Sequence, residues 1–117
     1  MSLLRVDLDI KQGASFDDYF EFSRDGQPTD LTGCAAKMQV RKRVEDEIVV
    51  LELSTGNGRL IIDGLAGIVT FNLEPTATQN ATWTKGVYDL KITWPDGHID
   101  KCISGYVNHI LAVTRAD

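Results

Sequence analysis

From Leu31 to Arg43 the chain reads LTGCAAKMQVRKR, with Cys34, Ala36, Met38 and Val40 alternating with Lys37, Gln39, Arg41 and Arg43. Successive side chains of an extended strand point to opposite faces, so this period-two pattern predicts a half-buried β-strand. The pattern recurs along the chain. Leu4, Val6, Leu8 and Ile10 alternate with Arg5, Asp7, Asp9 and Lys11. Val49, Leu51 and Leu53 oppose Val50 and Glu52, and Val69, Phe71 and Leu73 oppose Thr70 and Asn72. Tyr88, Leu90, Ile92 and Trp94 oppose Asp89, Lys91 and Thr93. The predicted strand windows are 3–11, 15–23, 34–43, 48–53, 58–63, 68–73, 86–94 and 99–113, the last divided near Gly105.

Turn chemistry separates these windows. Asp25-Gly26 and Asp96-Gly97 join residues that tolerate positive φ and sit between alternating segments, which predicts hairpins. Gly56-Asn57-Gly58 and the Gly64 to Gly67 segment mark two further reversals, read as hairpin punctuation. The segment EPTATQNATWTKG, Glu74 to Gly86, lacks alternation, and Pro75 suits a first helical position. It predicts a single short helical turn crossing between sheets.

Short strands at about ten-residue spacing, each with one apolar and one polar face, predict an all-β fold. The expected architecture is an antiparallel two-sheet β-sandwich, immunoglobulin-like or jelly-roll-like, with at most one short helical turn near 75–82, forming a single domain over 1–117. The spacing of Cys34 and Cys102 nearly fits an antibody-type disulfide. No Trp follows Cys34 at the required distance, however, and Asp100 stands where the corner tyrosine would be. A true immunoglobulin disulfide is therefore disfavoured.

Composition adds little except by exclusion. Hydrophobic residues make up 43% and charged residues 25% of the 117, an ordinary globular balance. The net charge of −5 argues against nucleic acid as a partner, because phosphate binding needs a concentrated positive field. The basic triplet Arg41-Lys42-Arg43 is soon followed by Glu45, Asp46 and Glu47 and reads as a solvated strand end. No run of eighteen apolar residues exists, so membrane insertion is not expected, and the N-terminal segment alternates instead of forming a signal-peptide core. Without an export signal, Cys34 and Cys102 are expected to be reduced and mostly buried. The triplet Asn80-Ala81-Thr82 is then a chance match to a glycosylation acceptor.

The candidates for chemistry are few. His98 falls in the Asp96-Gly97 turn and His109 in an apolar terminal strand, and no motif places either beside a nucleophile or a carboxylate pair. Asp7 with Asp9, and Asp17 with Glu21, share strand faces that could offer oxygen ligands to calcium, but neither an EF-hand loop nor a zinc-ligand spacing is present. The glycine turns lack the lysine and helix of a phosphate-binding loop. No catalytic, cofactor-binding or metal-binding residue is assigned, and no cofactor is expected. Tyr19, Trp83, Tyr88, Trp94 and Tyr106 could stack on sugars, which makes a small carbohydrate-binding module the alternative reading, provided two or three of them are exposed on one face or rim.

Several stretches together resemble a family. Gln12-Gly13-Ala14 opens the second strand, DLTGCAAKMQVRKR follows the Asp25-Gly26 turn, LELSTGNGRLIID leads to GIVTFNLEPTAT, and GVYDLKITWPDGHIDKCISGYVNHILAVTR closes the chain. Over about residues 10–115 this order resembles the small β-sandwich structural proteins of tailed phages and prophages, and is similar to the N-terminal domain of upper baseplate proteins of lactococcal phages. The resemblance implies a non-enzymatic component of a tail, baseplate, collar or head-fibre assembly. It would be made in the bacterial host cytoplasm, located in the virion, and partnered by other virion proteins and by itself as a homo-oligomer. It transfers no catalytic residues. No fibre or receptor-binding extension follows Asp117, so a stand-alone adaptor or decoration subunit is expected. Leu3–Ile10 and Ile103–Val113 are the expected contact segments, although ordinary pairing inside the monomer competes for each residue.

Overall fold

A computed structural model describes residues 3–115. Eleven strands form in chain order: β1 (Leu4–Arg5), β2 (Leu8–Lys11), β3 (Phe16–Glu21), β4 (Ser23–Arg24), β5 (Gln27–Pro28), β6 (Ala35–Arg41), β7 (Leu51–Ser54), β8 (Leu60–Asp63), β9 (Ile68–Leu73), β10 (Lys85–Thr93) and β11 (Ile99–Ile110). The larger sheet runs β1-β11-β10-β6-β7, with β2 also on β11, and the smaller runs β3-β9-β8. The β4–β5 hairpin stands apart. Among the described residues, helix is confined to one 3₁₀ turn, Pro75–Ala77, inside the predicted crossover from the smaller sheet to the larger.

The fold is a two-sheet β-sandwich. Its strand order, β11-β10-β6-β7 facing β3-β9-β8, is that of a variable-type immunoglobulin domain, which decides between the two expected architectures. β1 and β2 are the exception to antiparallel pairing. They lie parallel to β11, in one constant register from Leu4↔Ile103 to Lys11↔Ile110.

Alternation becomes packing on both inner faces. Met38 and Val40 of β6, Leu90 and Ile92 of β10, and Ile103 and Val107 of β11 are buried against Leu60, Val69, Phe71 and Leu73 of the smaller sheet. Phe16 and Phe20 of β3 stand diagonally about Phe71, with ring centroids at 5.5 and 5.3 Å. Asp18, between them, is the register partner of Phe71 and is exposed. A charge at an inward-parity position of an edge strand discourages pairing with foreign strands.

Three expectations are corrected. The last strand does not divide at Gly105. It continues to Ile110, and its parity changes instead at a β-bulge where the register steps from Leu90↔Ile103 to Lys91↔Lys101. Cys102 is the extra residue, so Cys102 and Ile103 are consecutive and both buried. The Gly56-Asn57-Gly58 turn is not a hairpin between paired strands, because it carries the chain from β7 in the larger sheet to β8 in the smaller. Finally, the windows at 48–53 and 58–63 begin late, at Leu51 and Leu60. Arg41 donates from Nη1 to the carbonyls of Asp46 and Glu47 and holds the 42–50 segment as a loop.

The hairpin readings at Asp25-Gly26 and Asp96-Gly97 agree with the structure. Asp25 and Gly26 both have positive φ, 52° and 77°, as a tight primed turn requires. Arg59 makes a two-point contact with Glu74 at 3.0 and 2.9 Å and also donates to the Glu52 carbonyl on β7. The Arg59 hydrogen bonds hold the Glu74 carboxyl below its usual range.

The two thiols are not bridged. Cys34 precedes β6 and Cys102 lies in β11, with β10 running between those strands. Two strand spacings amount to about 9–10 Å, beyond the reach of a disulfide at roughly 7 Å between Cα atoms. Burial pushes the Cys102 thiol up to about 11, and partial burial followed by nearby Asp30 raises Cys34. A thiolate-selective reagent at neutral pH is therefore expected to label at most Cys34 in the folded protein, slowly, and both only after unfolding. Reductant should leave the melting temperature unchanged. Rapid labelling of both thiols in the folded state would contradict this packing.

A candidate interaction surface on the larger sheet

The isolated candidates for chemistry resolve into structural roles. His109 is buried and stacks on Trp83 with ring centroids 4.4 Å apart. Its Nδ1 lies 2.7 Å from the Trp83 carbonyl, so that nitrogen carries the proton and donates, while Nε2 has no partner among the described residues. His98 is exposed in its turn, with Nε2 3.2 Å from Asp100 Oδ1. Trp94, expected on the core face, is only partly buried at the end of β10 and donates its indole N–H to Asp100 Oδ2 at 2.8 Å. That hydrogen bond, with His98 adding to it, holds the Asp100 carboxyl below its usual range.

Of the two acidic pairs on strand faces, Asp7 and Asp9 are likewise occupied, whereas Asp17 and Glu21 stand exposed on β3. Asp7 Oδ1 accepts from the backbone N–H of Tyr106 at 2.9 Å, and Asp9 accepts from the Asn108 side chain at 3.0 Å. Gln12 anchors the crossover by donating to the carbonyls of Ala81 and Gln79 and accepting from Ala112 N–H. The Gln12-Gly13-Ala14 stretch thus serves the fold.

The aromatic residues make no shared platform. Trp83 and Tyr88 are buried, and the exposed rings of Tyr19 and Tyr106 lie on opposite outer faces of the sandwich. The condition set for a sugar-binding face is not met by these residues.

What remains is the outer face of the larger sheet. Register stacks its side chains in rows. Lys101 of β11 pairs with Lys91 of β10, which pairs with Lys37 of β6, so three ammonium groups stand in one row across three strands. Like charges directly opposite each other destabilise a sheet. Lys101 is 3.6 Å from Asp89 and Lys37 is 3.8 Å from Glu52, which offsets part of that cost. Lys91, between them, has no acidic group within ion-pair distance among the described residues.

Two rows further on, Tyr106, Val87 and Arg41 cross the same sheet, and the Arg5 guanidinium sits 4.7 Å above the Tyr106 ring. The rows border a shallow depression of about 410 Å³. The strands of this sheet carry seven Lys or Arg against four Asp or Glu. The strands of the smaller sheet carry Asp17, Asp18, Glu21 and Asp63 and no Lys or Arg. A chain of net charge −5 therefore has one cationic broad face. Neither the row nor this polarity is legible in the sequence, where Lys37, Lys91 and Lys101 are far apart; alternation places Lys37 and Lys91 outward but does not align them.

The contact segments expected at the chain ends pair with each other. β1 and β2 lie along β11, and Leu8, Ile10, Ile103 and Val107 are core residues. Leu3 and Leu4 stay exposed at the start of that pairing, and Ile110, Leu111 and Val113 at and beyond its other end.

Among the described residues, no helix is long and apolar enough to cross a membrane. No protein-family model matches the sequence, and no curated protein matches it. Solved structures of similar shape include the N-terminal domain of phage TP901-1 ORF48, at 13% identity over 95% of this chain and 98% of that one, with a TM-score of 0.48. Extracellular domains 3-5 of Drosophila OTK match at 16% identity over 92% of this chain and 33% of theirs, with a TM-score of 0.39. The extracellular domain of the voltage-gated sodium channel beta4 subunit, described as a parallel homodimer with a role in cell-cell adhesion, matches at 10% identity over 93% of each chain, with a TM-score of 0.42. At these identities and scores the likeness carries no functional argument.

Proposed function

We propose that this chain, as one sandwich domain over 1–117, is a non-enzymatic assembly protein of a phage or prophage particle, a component of its tail, baseplate, collar or head fibre, working through protein–protein contacts. The order of sequence stretches over residues 10–115 supports the particle. The row Lys101–Lys91–Lys37 supports the mode of action and is the observation that carries the reading. Like charges set opposite one another cost the isolated domain stability, and an acidic partner laid on that face offsets the cost.

Leu3 and Leu4 at one end of the β1/β2–β11 pairing, and Ile110, Leu111 and Val113 at and beyond the other, add further exposed apolar residues for contact, and repeated copies in a symmetric particle would multiply weak contacts into firm attachment. In this reading the histidines and acidic residues hold no catalytic, cofactor or metal role. The carbohydrate-binding alternative is not favoured, because Tyr19 and Tyr106 occupy opposite faces.

The test is particle composition. Particles induced from the strain that carries the gene and purified by density gradient are expected to contain this chain, at a constant ratio to the major tail or head proteins across preparations, by quantitative peptide mass spectrometry. Its absence from intact particles overturns the proposal.

A further inference from the structure

We infer that copies of this chain associate face to back, the lysine row of the larger sheet of one copy meeting the acidic outer face of the smaller sheet of the next. This rests on the assembly reading above and names a partner for the cationic face. The complementary surface is present on the same molecule. On the smaller sheet Glu21 pairs with Ile68, and Ile68 with Asp63, which places two carboxylates two strand spacings apart in one row. Lys101 and Lys37 are two strand spacings apart on the opposite face. In both rows the span is about 9–10 Å.

Beside the acidic row, Tyr19, Thr70 and Ile61 cross the smaller sheet in register, and Tyr19 and Ile61 are more than half exposed. Each broad face thus combines opposite charge with apolar surface. Long-range repulsion between chains of net charge −5 is screened beyond about 10 Å at 0.1 M salt, whereas groups in contact still feel one another. Joining unlike faces is a heterologous contact. It propagates into a ring or filament instead of closing as a two-fold dimer.

Sedimentation velocity on the whole chain tests this. At about 0.1 M NaCl the weight-average sedimentation coefficient is expected to rise with concentration through successive oligomers, and at about 1 M the rise should largely vanish. Lys91→Glu alone, and Glu21→Lys with Asp63→Lys in a second variant, are each expected to weaken association at least about tenfold, roughly 1.4 kcal/mol. Mixing the two variants should restore pairing, because the unaltered acidic face of the first then meets the unaltered lysine row of the second. Melting curves establish that both are folded. Lys91→Glu should melt no lower than the parent, since its two lysine neighbours lose a rival, and Lys37→Glu serves in its place if it does. A chain that stays monomeric at about 0.1 M salt, association indifferent to the reversals, or a mixture that fails to re-associate each overturns the inference. Particle composition is measured separately, so a virion protein that does not self-associate would still be recognised as one.

Discussion

Gly105→Ala is expected to destabilise the domain by about 3–5 kcal/mol, seen as a fall of more than about 10 °C in melting temperature by calorimetry or circular dichroism. The reason is a local exchange of hydrogen bonds where β11 passes the N-terminal edge. Val6 N–H donates to the Ser104 carbonyl at 2.9 Å, as a parallel ladder requires. The next bond of such a ladder would run from Tyr106 N–H to the Val6 carbonyl. Tyr106 N–H donates to the Asp7 carboxylate instead, and the Val6 carbonyl accepts the Tyr88 hydroxyl at 2.6 Å.

Tyr88 is the cross-strand partner of Gly105. The Val6 carbonyl lies where a Cβ on residue 105 would be, and the Val6 carbonyl carbon is only 2.7 Å from that position. Any side chain must push the edge strand away. Doing so separates Val6 from Tyr88 and leaves a half-buried hydroxyl and a carbonyl without partners, on top of the steric cost. A melting temperature within about 2 °C of the parent would show that the edge strand is not held as described.

Phe71→Ala is expected to cost about 3–5 kcal/mol, the range for emptying a fully buried aromatic site. Phe71 has no exposed surface and is the ring on which Phe16 and Phe20 both close. β3 is an edge strand of the smaller sheet, and its remaining residues are Asp17, Asp18, Tyr19 and Glu21. Little else on β3 can tie it to the core. Its ladder with β9 should therefore loosen before the rest of the sheet, and amides of β3 should lose most of their protection in native-state hydrogen exchange. Chemical denaturation with exchange mass spectrometry checks both parts. A loss under about 1.5 kcal/mol, or protection of β3 unchanged, would mean that Phe16 and Phe20 hold the edge without Phe71.

These two positions differ in how far the sequence announces them. Phe71 lies between Val69 and Leu73 in clean alternation, and its burial follows from local pattern. Gly105 reads locally as an interruption, and the sequence predicts a division of the last strand at that point. The actual irregularity, at Cys102, is invisible locally because a bulge is defined by the partner strand: only the step from Leu90↔Ile103 to Lys91↔Lys101 reveals it. The demand for glycine at 105 comes from Val6, a residue far away in sequence. The same distinction separates Arg41 as an outward strand residue, which alternation shows, from Arg41 as the donor that holds the carbonyls of Asp46 and Glu47.

The candidate surface follows the same division. Alternation alone assigns Lys37 and Lys91 to outer faces, and turn chemistry alone assigns hairpins at Asp25-Gly26 and Asp96-Gly97, because side-chain period and φ preference are properties of a few consecutive residues. By itself the sequence thus determined an all-β chain, the identity of most inner-face residues and the place of the one helical turn. Only the tertiary structure decided the immunoglobulin-like strand order, the parallel N-terminal edge, the bulge at Cys102 and the alignment of Lys37, Lys91 and Lys101 against a face of opposite charge. Those features depend on register between strands distant in the chain, which is set by the packing of the two sheets as a whole and leaves no mark at the spacing of neighbouring residues.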